Sequence, residues 1–251
     1  MKRGQVSLFI ILGILVIVMI VFLFMNSPYF NKPFEEKVDP VVQPLYDQYK
    51  DCMEDAGGRA IYAIEHSGGY ATEAEFSNDF GIAYYYYLGE NHLPTKTNIE
   101  KELAAFIEYD ITQNCGSVEN DLNFDEVEQT GNVKAKARID GDFVIFDITL
   151  PIQAKKGDLT YNFQQFNNIK RASYLNILYN AASEITQEQM KHEEICVNCI
   201  HDIALTNDVY VEMNQIEEDT MFILEYIDER TNETVEEFYF VNKYELAEPL
   251  E

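Results

Sequence analysis

The sequence predicts an α+β protein: an N-terminal transmembrane helix followed by an extracellular domain of helices packed on antiparallel sheet. Three observations predict it. Residues 7–25 form an apolar run without a charge, apolar residues recur at helical spacing after Pro44 and Thr97, and Val133–Ile139 alternates strictly before a second apolar strand. Helix and strand signals fall in separate blocks, the pattern of an α+β fold.

The nineteen residues from Ser7 to Met25 are almost all Leu, Ile, Val, Phe or Met. As a helix rising about 1.5 Å per residue they cover about 28 Å, close to the hydrocarbon thickness of a bilayer. A cleaved secretion signal has a shorter apolar core, about 7–15 residues, and a small-residue cleavage site. This run ends instead in Phe-Met-Asn-Ser-Pro-Tyr. Lys2 and Arg3 are the charges ahead of it, so the positive-inside rule places residues 1–6 in the cytoplasm and residues beyond Asn26 outside. The lipid bilayer is thus an expected partner through residues 7–25. Residues 26–44 read as a linker, because Pro28, Pro33, Pro40 and Pro44 oppose a continuous helix.

In the domain over 45–251, Leu45, Tyr49, Cys52, Ala56 and Ala60 predict a helix that meets Gly57-Gly58 and stops at Ser67-Gly68-Gly69. Ala83–Leu88, with four consecutive tyrosines, reads as a strand. Thr97-x-x-Glu100 reads as a capping box opening a helix over 98–112, and 116–130 as an acidic loop. Val133–Ile139 is a half-buried strand that Asp140-Gly141 turns into a strand over Phe143–Leu150. A long helix is expected over 168–192, with Ile169, Leu175, Leu178, Ala182 and Ile185 on one face. Strands near 208–213, 219–227 and 235–242 close the chain, the last two as a hairpin.

The chain carries a formal net charge of −26, with 18 Lys and Arg against 44 Asp and Glu. Lys2 and Arg3 precede the apolar run, so residues 26–251 keep 16 basic residues and a net −28. Such a surface excludes binding to nucleic acid or to an anionic membrane through a charge footprint. The hydrophobic content, 47% of residues, is ample for a packed core.

Cys52, Cys115, Cys196 and Cys199 all lie beyond the apolar run. Outside the cell an even count points to two disulfides, with three possible connectivities. The Cys196-Val-Asn-Cys199 spacing also admits a redox pair, which wants its cysteines at the start of a helix after a strand. Here the pair follows a long helical, acidic stretch, Glu184–Glu194, so that context is missing. Zinc would need Cys52 and Cys115 to converge on the pair, with His201 as a substitute ligand.

Three local features could carry chemistry, each with a plainer rival. Lys134, Lys136 and Arg138 could dock an acidic neighbour or form a solvated strand face opposite Asp125, Glu126 and Glu128. Tyr84–Tyr87 could stack on sugars or be a strand with aromatics on both faces. Glu90-Asn91-His92 could ligate a metal, though one His and one carboxylate make a weak set. No GxSxG, P-loop or HExxH occurs, so no catalytic residue, cofactor or metal is assigned.

Lys2-Arg3-Gly4-Gln5-Val6-Ser7 before the apolar run resembles the class III signal of archaeal type IV pilin-like proteins. The resemblance implies cleavage between Gly4 and Gln5 and retention of the apolar helix. Gln5 and Ser7 match one archaeal pilin pattern, whereas Phe9 and Gly13 stand where it has Glu and Leu. The remainder resembles a family of uncharacterised surface proteins from small-genome archaea, through Cys52, Ser67-Gly68-Gly69-Tyr70, Gly89-Glu90-Asn91-His92-Leu93-Pro94 and Ile195–Ile200. That likeness implies placement at the surface and no particular activity.

Two function classes therefore compete. One is a pilin-like, non-enzymatic structural or adhesion subunit that self-assembles through its apolar helix and ends in a surface filament. The other is a stand-alone, single-pass surface protein that binds a ligand the sequence does not name. A third, an exported redox or metal protein, rests on the CxxC. The expectation is the first, at the cell membrane.

Overall fold

The computed structural model describes Met19 and residues 38–115, 124–192, 195–228, 230–231 and 233–244. The chain divides into two compact units, 1–35 and 36–251, and apart from Met19 every described residue belongs to the second.

Helix α1 (Gln43–His66) starts with Pro44 in its first turn, where the missing N–H costs nothing. Its buried stripe runs through Leu45, Tyr49, Met53, Ala56, Ala60 and Ile64. Gly68 and Gly69 take φ of +69° and +94°, and Gly69 N donates to Ile64 O at 2.8 Å. This Schellman-type end is the stop that the double glycine predicts. The inner Gly57-Gly58 does not break the helix. A Cβ on Gly57 would sit 3.0 Å from the Phe146 ring, so the glycine admits a core aromatic.

Strands β1 (Tyr84–Tyr87) and β2 (Glu90–Asn91) lead to helix α2 (Lys96–Asn114). The cap of α2 is Thr95, whose Oγ1 accepts from Asn98 N at 3.2 Å, rather than the expected Thr97. β3 (Glu126–Gln129) lies inside the stretch read as loop, and residues 116–123 lie outside the described residues. β4 (Lys134–Asp140) and β5 (Phe143–Lys156) form the expected hairpin, with β5 running six residues beyond Leu150.

The helix expected over 168–192 is corrected. Residues Leu159–Ala172 form β6, paired with β5, and the helix, α3, covers Leu175–Gln189. Ile169, the first residue of the expected apolar face, belongs to β6, whose pairing with β5 has two register irregularities. Phe163, Phe166 and Ile169 pair with Ile152, Ile148 and Phe146, so unequal steps bury β6 at every third residue. Asn168, with φ +60°, sits in the second irregularity. Helix α4 (Val197–Asn207) follows, then β7 (Tyr210–Ile216), β8 (Asp219–Asp228) and β9 (Glu233–Lys243) near the expected positions.

Two sheets result, not one antiparallel sheet. The first has the order β2-β1-β9-β8-β7 and is mixed, because β1 runs parallel to β9. In the second, β6 pairs one edge of β5 while β4 and β3 share the other edge. Pro151, which has no N–H to donate, falls between the β3-paired and β4-paired parts of β5. α1 packs on both sheets, α2 on β4, and α3 on β8 and β9. One core cluster joins them, including Met53, Phe146, Phe166, Leu178, Phe222 and Phe240.

The membrane-spanning helix expected over 7–25 is likewise not part of the described fold. Among the described residues no helix is long and apolar enough to cross a membrane, and 7–25 lie outside them apart from Met19. The longest described helix, α1, has 24 residues but carries Asp47, Lys50, Asp51, Glu54, Asp55 and Arg59. Charges at that density are too costly for hydrocarbon.

Candidate functional site

The four cysteines pair as Cys52–Cys115 and Cys196–Cys199. Cys115 caps the C-terminus of α2 and is fully buried, so the first disulfide ties α1 to α2 inside the core. Arg59 reinforces the same contact: its guanidinium bonds both carboxylate oxygens of the buried Asp110, the shorter contact at 2.6 Å. This pairing removes Cys52 and Cys115 from any zinc site with the CxxC. His201 is exposed on α4, and His192 is the histidine beside the second pair.

The second pair sits at the start of α4, so the helix start that a redox pair wants is present, but the preceding strand is missing as expected. Cys196 is the N-cap of that helix, and its Sγ accepts from Cys199 N at 3.3 Å. A helix, α3, precedes it rather than a strand. Gln189, the last residue of α3 and fully buried, holds Cys196 by accepting its N–H at 3.1 Å. His192 Nε2 lies 3.7 Å from Cys199 Sγ and 3.4 Å from Glu188 Oε1. Lys191 and His192 hold the Glu188 carboxyl below its ordinary range, Lys191 the more strongly. The atoms of His192, Cys196 and Cys199 lie within 4.8 Å of one another, the single such set of three among the described residues.

The other sequence candidates resolve toward their plainer readings. Tyr85 is fully buried and stacks on Phe240, while Tyr84 is nearly buried and donates to Asp219 Oδ2 at 2.7 Å. β1 is thus a strand with aromatics on both faces. His92 Nε2 lies 3.4 Å from Glu90 Oε2 and its ring packs on Phe76, with no third ligand among the described residues. Lys134, Lys136 and Arg138 face solvent on β4, but opposite Thr149, Asp147 and Ile145 rather than the expected acids. Glu126 pairs with Lys155 at 2.6 Å, and Asp125 accepts from Gly157 N. Gly4 and Gln5 lie outside the described residues.

Sequence reasoning missed a cleft of about 460 Å³ between α1, the end of β6 and the start of β9. Its floor holds a pair of carboxyl groups. Glu65 is 3% exposed, and burial, then the neighbouring Glu236 and Glu237, push its carboxyl up to about 10. Burial and the neighbouring carboxyl groups thus favour the protonated form of Glu65 beside Glu236, and its Oε1 is buried without a partner. Glu236 Oε2 accepts from Tyr174 N at 2.6 Å and Ser173 Oγ at 3.1 Å, capping the start of α3. Burial raises the Glu236 carboxyl as well, against these hydrogen bonds.

Tyr62, His66 and Arg171 line the cleft beside Ile61, Thr234, Val235 and Glu237. Tyr62, His66 and Tyr239 stack in series, with centroids 3.9 and 4.8 Å apart, and Tyr62 is 63% exposed. Arg171 lies along Gly58, where a Cβ would come within 3.1 Å of its terminal nitrogen. Abundant acidic residues hid Glu65 and Glu236 in the sequence. The signal that could have found the cleft is Gly57-Gly58, because two glycines inside a continuing helix mark a close approach. Comparison with known proteins finds no match, whether to a family model, a curated protein or a solved structure.

Proposed function

We propose that the chain is an exported, pilin-like surface protein whose described domain is a structural or adhesive head rather than an enzyme. The observation that carries this reading is the Cys52–Cys115 disulfide, which closes 63 residues of chain. Disulfides of this kind belong to oxidising compartments. The acidic excess agrees, since it keeps a displayed head soluble and away from nucleic acid and anionic lipid. Lys2-Arg3-Gly4-Gln5 supplies a leader-like route to the exterior, with Gln5 as the first mature residue.

The cleft under Tyr62 gives such a head a contact point. The exposed Tyr62 ring beside carboxyl groups and a guanidinium suits a hydroxylated ligand of the saccharide class. Antibody against residues 38–244 tests the placement. Label on intact cells supports the reading, with fibres selecting the assembling form and diffuse label the stand-alone one. Label that needs a breached membrane overturns it. Intact mass tests the leader: a chain starting at Gln5, with processing blocked by Gly4→Val, is expected.

A further inference from the structure

We propose that Cys196 and Cys199 are a reversible redox couple that exchanges with a protein dithiol, with His192 as its proton donor and acceptor. The inference goes beyond the surface role and does not depend on it, because it concerns chemistry the purified chain can perform.

Three features distinguish this pair from a staple. It closes a sequence separation of 3, against 63 for Cys52–Cys115, so it constrains little of the unfolded chain. Both of its cysteines are half-buried residues, and in the other pair Cys52 is half-buried but Cys115 is fully enclosed. Its position on α4 treats the two sulfurs differently. Cys196 Sγ receives the Cys199 amide at 3.3 Å, the arrangement that stabilises a thiolate at a helix N-terminus. Cys199 Sγ instead faces the ring nitrogen of His192 at 3.7 Å.

The chemistry follows from this asymmetry. A thiolate of the partner attacks Cys196 Sγ, the Cys196–Cys199 bond breaks, and the two proteins are joined by a mixed disulfide. Cys199 leaves as a thiolate and takes a proton from His192. The second thiolate of the partner attacks the partner sulfur of the mixed disulfide, forming the partner's disulfide and expelling Cys196 as a thiolate held by the Cys199 amide. The partner's two thiolates lose two electrons, and the pair gains them, ending as the Cys196 thiolate and the Cys199 thiol, with its one proton supplied by His192, which takes another from solvent. The reverse sequence, with a partner disulfide as oxidant, restores the bond.

The test treats the native full chain with reduced and oxidised glutathione, then alkylates and maps the free thiols. The expected result is two alkylated positions, Cys196 and Cys199, in a ratio that follows the glutathione poise while Cys52–Cys115 stays closed. Cys199→Ser should trap a glutathione adduct at Cys196, and His192→Ala should slow exchange by about tenfold or more. The wild-type measurement needs no variant to fold. A pair that resists glutathione until the protein unfolds overturns the proposal. So does a reduced pair that takes up one equivalent of zinc and no longer exchanges, since the three ligands would then be a metal site.

Discussion

Glu108 on α2 accepts the backbone N–H of Ala135 on β4, Oε1 to nitrogen 2.7 Å. Glu100, two turns earlier, does the same for Ile139 at 3.0 Å. β4 is an edge of the second sheet, and an edge strand exposes unpaired donors that recruit other strands. Here α2 lies beside the edge and its acidic side chains occupy two of those donors.

Replacing Glu108 with Ala should therefore cost about 1–2 kcal/mol, the usual loss for a charge-assisted hydrogen bond at a half-buried site. Glu108→Gln keeps an acceptor and should cost less. Urea unfolding of the two variants checks the order, and equal losses would mean that the bond to Ala135 does not hold the edge.

The two glycines inside α1 should respond in opposite ways. At Gly57 an added methyl meets the Phe146 ring at 3.0 Å inside the core, and that ring cannot retreat freely. At Gly58 it meets the end of the Arg171 side chain at 3.1 Å, which can swing away. Helix propensity favours Ala over Gly by about 1 kcal/mol at both positions. Gly57→Ala should thus lower the melting temperature, while Gly58→Ala leaves it level or higher and narrows the cleft. Thermal denaturation of both decides it.

Much of the sheet framework was legible, because the β4–β5 hairpin and β8 keep their period of two and β9 keeps it through Phe238 and Phe240. In β5, alternate residues from Val144 to Ala154 are buried. β6 was not legible, because its irregular register buries every third residue and leaves no period of two to read, and Ile169 was counted with the helix stripe of Leu175 and Leu178. β3 was lost because its four residues, Glu-Val-Glu-Gln, are largely exposed and look like loop. α4 was lost because its cap is a cysteine and the helix is short and exposes Val197 and Leu205, with Ile200 its buried residue. The cysteine residues of the site could be named from sequence, but their pairing and the approach of His192 depend on where α3 ends. The carboxyl pair depends on α1 meeting β9, a contact across 171 residues that no local pattern encodes.

Removing the two disulfides should have unequal effects on stability. The chain-entropy relation gives about 4 kcal/mol for a loop the size of Cys52–Cys115 and about 2 kcal/mol for one the size of Cys196–Cys199. Cys52→Ala/Cys115→Ala also leaves a void against fully buried neighbours. It should shift the denaturation midpoint far more than Cys196→Ala/Cys199→Ala. Equal shifts in guanidinium unfolding would contradict this assignment of roles.

The carboxyl pair in the cleft should make stability fall as pH rises. In the unfolded chain Glu65 titrates as an ordinary carboxyl, near 4.5, whereas in the fold burial and then Glu236 push it up to about 10. Between those values the folded protein binds a proton that the unfolded chain has released. Each pH unit in that interval then removes up to about 1.4 kcal/mol from the folding free energy. The contribution is fully present below the unfolded value and is lost progressively up to the folded one. Glu236 titrates in the same sense but is held by Tyr174 N and Ser173, so it can keep its charge while Glu65 keeps the proton. Glu65→Gln replaces the proton with an amide donor to Glu236 and removes the penalty. Its melting temperature should match the wild type at pH 4 and exceed it increasingly from pH 6 to pH 9. Parallel curves over that range would show that Glu65 ionises as an exposed carboxyl does, and that the floor of the cleft does not share a proton.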